Sequence, residues 1–160
     1  MNGGILPSLL MCGAIGLLLS FATRRVALVS VAAMVTAAAL FAFLSLPAGL
    51  TTAIFIAFWS TIIVAAGLTY FPSAMVQRLA IPLAVLAGAG VGAMVSISGR
   101  KSDLLLALPV SLLVVPGQWM AARGYGLGVK IAASWMIAIA LLSIFVSLTP
   151  TPGYRPDHME

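Results

Sequence analysis

Charge is what this sequence has least of. It carries eight Lys and Arg and three Asp and Glu in 160 residues, where a soluble domain is roughly 25% charged. That shortage excludes a soluble globular fold. A single cysteine excludes a disulfide scaffold, and Cys12, inside an apolar run, has no partner from which to read a redox compartment. A single histidine, His158, excludes a haem held by two imidazoles. The three acids, Asp103, Asp157 and Glu160, all fall outside the apolar runs. Ionisable groups inside a bilayer are costly and mark proton or ion relays, so a carboxylate-driven pump is not expected. No catalytic dyad, Cys/His metal cluster or acid pair is in view, so the chain reads as a non-enzyme needing no metal or other cofactor.

What the sequence has is long apolar runs rich in Ala, Leu, Val and Ile, with a mean hydropathy of +1.20. They are continuous, whereas barrel strands alternate apolar and polar residues over about 10 positions. The expectation is an all-α membrane protein with six transmembrane helices: about Ile5–Phe21, Val26–Leu46, Leu50–Phe71, Leu79–Ser98, Leu104–Ala122 and Ile131–Leu148. A five-span reading, with the Pro-rich fifth segment re-entrant, is the alternative. Residues 1–148 form the bundle, and 149–160 form a polar tail expected to be extended. The first run has no basic residues before it and Arg24-Arg25 after it. This is the pattern of a retained span rather than a cleaved signal, and Asn2 breaks the myristoylation pattern.

Net charge is +5. The basic residues sit at the ends of apolar runs, where topology and lipid headgroups account for them without nucleic acid. Six spans would put Arg24, Arg25, Arg78, Arg123 and Lys130 on one side and Arg100, Lys101 and Arg155 on the other. By the excess of positive charge this places both termini outside, in a bacterial inner membrane. Shifting the chain on itself by 76 positions sets Gly16 on Gly92, Ser20 on Ser96, Arg24-Arg25 on Arg100-Lys101, and Trp59 on Trp135. Each basic pair then follows the first span of a three-span half. Three is odd, so the halves would be inverted, as in many transporters. Identities at this shift are about what the composition gives by chance, so the argument rests on the rare residues and the boundaries.

Neutral polar residues supply the candidate sites. Pro109 and Pro116 interrupt the fifth segment and free the carbonyls of Leu105 and Leu112. Ser111 and Gln118, two helical turns apart, share a face there. Trp59 is mid-span, where tryptophan is uncommon. A solute pathway would run near Trp59, Ser111, Gln118 and Trp135. The plainer readings are that Gln118 reaches the interface, the prolines bend the helix, and Trp59 packs in the core. Gly88 and Gly92 are four apart and read as helix-packing positions. Gly124-Tyr125-Gly126 lacks the preceding Thr-Val of a potassium filter, and no strand precedes it as in a dinucleotide fingerprint, so it reads as a turn.

Ala22-Thr23-Arg24, Phe58-Trp59-Ser60, Tyr70-Phe71, Met75 and Arg78-Leu79 together resemble the small GlpM-type inner-membrane proteins over the first hundred or so residues. The resemblance implies a small polytopic inner-membrane protein and assigns no mechanism. Two functions are in play. One is a transporter or channel for a neutral or anionic solute. The other is a non-catalytic accessory subunit packed in a homo-oligomer or a larger membrane complex, with lipid as its other partner.

Overall fold

The structure, a computed structural model, describes residues 6–44, 47–98 and 108–149. It is helical throughout, with no strand among the described residues. Among the described residues six α-helices follow one another: α1 Leu6–Leu19, α2 Arg24–Ala42, α3 Thr51–Leu68, α4 Ser73–Ser98, α5 Val114–Ala122 and α6 Gly126–Leu148. Short 3-10 segments, Ala48–Leu50 and Leu108–Leu113, lead into α3 and α5.

Four of these helices, α2, α3, α4 and α6, are long and apolar enough to cross a membrane. The other two are shorter over the described residues. The described part of the first apolar run is 14 helical residues, beginning at the first described position, Leu6. It ends because Ser20, Phe21 and Ala22 donate to carbonyls only three residues back, from Leu17 to Leu19, which tightens the last turn. Thr23 then turns to extended backbone, and α2 begins at Arg24. The fifth run is broken in conformation. In the first turn of a helix a proline's missing N–H costs nothing. Accordingly Pro109 opens a 3-10 segment, and Pro116 is the third residue of the nine-residue α5.

Other boundaries move the opposite way. Ser73 to Arg78, expected as a connecting stretch, are the opening turns of α4, started by Pro72, whose carbonyl accepts from Met75. Polar residues at an interface need not end a helix. Of the glycine turn, only Gly124 adopts a left-handed φ, +84°, and Gly126 and Gly128 are already in α6. Residues 99–107 and 150–160, with Arg100, Lys101 and most of the expected tail, lie outside the described residues.

α1 is the hub. α1 touches all five other helices, and Met11, Cys12, Ala14, Ile15, Leu18 and Leu19 are fully buried. A helix that is apolar on every side belongs in the interior. α6 is the opposite case: only Val129, Ala133 and Ala140 are buried, and Leu127, Ile131, Leu142, Phe145 and Val146 are exposed.

Two crossings bring helix backbones together. A methyl group on Gly88 would lie 2.2 Å from the Met34 carbonyl oxygen, and one on Gly92 2.4 Å from that of Ala38. Both contacts pair positions 54 apart, so α2 and α4 run parallel and in register. The buried faces repeat every four residues, Ser30, Met34, Ala38 and Ala42 against Ala80, Ala84, Gly88 and Gly92, the spacing that lets membrane helices approach closely. The second crossing joins α1 to the segment before and within α5. A methyl on Gly16 would lie 3.2 Å from Leu113 Cβ and 3.4 Å from the Val114 nitrogen, and one on Gly117 would overlap the Ser20 hydroxyl.

Candidate functional site

Trp59, Ser111, Gln118 and Trp135 are each placed by a different part of this packing. Trp59, 4% exposed, sits in α3 with edge-on contacts to Phe55 and Phe58, ring centroids 6.0 and 5.8 Å away. Its indole Nε1 has no hydrogen-bond acceptor, and the same lack holds for the fully buried Ser30 hydroxyl on α2. Ser111 is buried in the 3-10 segment, its carbonyl beside Gly16 of α1.

Gln118 is half-buried and has a definite task. Its Nε2 donates to the carbonyls of Leu19 and Ala22, at 3.4 and 3.3 Å. Those carbonyls lie at and just past the C-terminal end of α1; that of Leu19 already accepts from the Ala22 N–H, and Gln118 adds a side-chain donor to both. Gln118 thus caps α1 from a neighbouring helix. Ser20 donates to the Gly16 carbonyl, which keeps its hydroxyl against Gly117.

Trp135 is 70% exposed. Because α6 begins at Gly126 rather than Ile131, this residue is about 14 Å into its helix, deeper than an interfacial belt. The expected pathway residues therefore divide between a buried aromatic cluster, the α1–α5 contact and the outer surface. Neither of the two main concavities contains any of them. One, about 460 Å³, is an open apolar hollow beside Pro109, Val110, Leu112, Leu113 and Pro116. The other, about 230 Å³, is an apolar groove between α2, α3 and α4 lined in part by Phe41, Ile54, Phe58 and Leu86.

Polar geometry concentrates instead at one end of the bundle. The starts of α2, α4 and α6 and the ends of α1, α3 and α5 meet there, as the Gln118 bonds and the proximity of Gly126 to Phe21 establish. All five described basic residues, Arg24, Arg25, Arg78, Arg123 and Lys130, lie at this end. No family model, curated protein or solved structure matches the chain. Its chemistry must therefore be read from these contacts alone.

Sequence reasoning missed the junction that closes this end. The Tyr70 hydroxyl, just past α3, donates to the Lys130 carbonyl at 2.7 Å and also meets the Ser134 hydroxyl. Ser134 in turn donates to the same carbonyl at 3.1 Å. The Lys130 ammonium lies 5.8 Å from the Tyr70 ring centre. The Arg123 guanidinium lies over the Trp119 ring at 4.1 Å, within cation–π range. The available signal was only that Tyr70 and Lys130 stood at the ends of apolar runs.

Proposed function

We propose that this protein is a non-catalytic subunit of a membrane assembly, exerting its role through lateral packing in the bilayer. The observation that carries this reading is that the four polar or aromatic candidates for a pathway are not gathered around one cavity, and that the two hollows described above are apolar and open to the surface. Most of α6 offers large apolar side chains outward. On this reading all six helices thread the membrane. The end carrying five cations faces the cytoplasm of a bacterial inner membrane, which places both termini outside.

A second reading, transport of a neutral or anionic solute, is favoured by one specific correspondence. Moved by 76 positions, the Gly92–Ala38 contact becomes Gly16–Val114, and both are backbone approaches. Matched crossings of this kind are what inverted repeats require. Any pathway would then run between copies or halves rather than through the described core.

The two readings separate in one preparation. Purified from native membranes in mild detergent, the chain should migrate in a particle heavier than one 16.5 kDa protomer, with a second copy or another protein in fixed ratio. Alone in vesicles it should pass no more solute than empty vesicles do. A monomer that conducts solute, and stops when Gln118 is replaced by Leu, would overturn the assembly reading and establish transport.

A further inference from the structure

The five cations at the polar end are not equivalent. Arg123 and Lys130 are each engaged by an aromatic ring, Trp119 and Tyr70. Arg24, Arg25 and Arg78 are exposed and have no partner among the described residues, which include no acid.

The glycine crossing brings these three together. In the register set by Gly88 on Met34 and Gly92 on Ala38, Arg78 of α4 stands level with Arg24 of α2. The pairing of α2 with α4 is the most extensive between any two described helices, and Ala27 of α2 and Ala80 of α4 are buried. α2 and α4 are parallel, so the positive ends of their dipoles lie side by side, adding to the charge of three guanidiniums. The described chain supplies nothing to neutralise this concentration.

The surface next to the arginines is apolar. Leu28 and Val29 follow Arg25 by three and four residues, and Ile81 and Val85 follow Arg78 by three and seven. Each set falls on the same helix face as its arginine. These four side chains are 40–66% exposed. A cationic head above two apolar stripes matches a molecule with an anionic head and apolar tails. The arginine fork suits phosphate oxygens in pairs.

We propose that Arg24, Arg25 and Arg78 form a notch that holds the phosphate of an anionic phospholipid, its acyl chains lying along the Leu28–Val29 and Ile81–Val85 stripes. The assignment depends on membrane insertion but not on whether the protein is a subunit or a transporter.

The test is native mass spectrometry of full-length protein extracted from vesicles of equimolar phosphatidylglycerol and phosphatidylcholine. Wild type should retain phosphatidylglycerol several-fold over phosphatidylcholine. The R24Q/R25Q/R78Q variant should lose that preference, and R123Q/K130Q should keep it. The R24K/R25K/R78K variant preserves charge, and hence orientation and folding, but removes the forks. It should show the preference reduced several-fold. Equal retention of both lipids by wild type would overturn the proposal. So would loss of preference in R123Q/K130Q as large as in the triple Gln variant, or full preference in the Lys variant. Displacement of phosphatidylglycerol by inorganic phosphate would reassign the notch to a soluble anion and overturn the lipid assignment.

Discussion

The two backbone crossings use the same device with unequal tolerance. Between α2 and α4, an added methyl at Gly88 or Gly92 meets carbonyl oxygens at 2.2 and 2.4 Å. Between α1 and the α5 segment, a methyl at Gly16 meets its neighbours at 3.2 to 3.4 Å. The first pair consists of two long helices, α4 continuing through Pro82. The second joins a 14-residue helix to a segment that changes from 3-10 to α at Val114. Regular helices can keep ridges of small residues in register over several turns. The second segment changes helix type instead, and it makes one loose approach at Gly16 and one tight one at Gly117. The comparison shows how a four-residue spacing of small residues becomes two successive backbone contacts where both partners keep one helical geometry.

Substitutions can break that contrast, beginning with the largest expected effect. Gly88→Leu should abolish the folded bundle, read as loss of the monodisperse peak in size-exclusion chromatography. The milder Gly92→Ala should cost about 1–3 kcal/mol as overpacking and clearly more than Gly16→Ala, with both measured by unfolding in mixed micelles. Equal costs would mean that the two crossings are equally tight. Gly117→Ala should cost about 1–2 kcal/mol. It should be partly rescued by Ser20→Ala, because the obstruction is a hydroxyl rather than backbone.

Smaller effects sharpen the comparison by leaving the crossings intact. Tyr70→Phe removes hydrogen bonds to the Lys130 carbonyl and Ser134. It should lower stability by about 0.5–1.5 kcal/mol and raise hydrogen exchange at the start of α6 while α2 stays protected. Trp135→Ala, on a side chain 70% exposed, should fall within about 0.5 kcal/mol of wild type. A larger loss in the native assembly than in the isolated chain would locate a partner on α6.

The membrane class, the helical fold and the position of the basic residues at helix ends were legible because hydropathy and charge placement act locally along the chain. Gly88 and Gly92 stood out by spacing. The partners of Gln118 did not, because a glutamine near a helix end reads the same whether it faces lipid headgroups, a solute or the carbonyls of another helix. The depth of Trp135 was not legible either, because its helix begins at Gly126, five residues earlier than hydropathy indicates. Six apolar runs were countable, and among the described residues four of them give helices long and apolar enough to cross a bilayer.

By itself, then, the sequence determined that this chain belongs in lipid and that its charges stand outside its apolar runs. Burying a charge or leaving a backbone amide unpaired in hydrocarbon is too costly for any alternative. Only tertiary packing decided that α1 is the central helix, that Gln118 caps it, and that two cations are occupied by aromatic rings while three arginines remain open. Those outcomes depend on which helices lie side by side, and helices surrounded by equally apolar lipid choose neighbours by shape and close contact rather than by hydropathy.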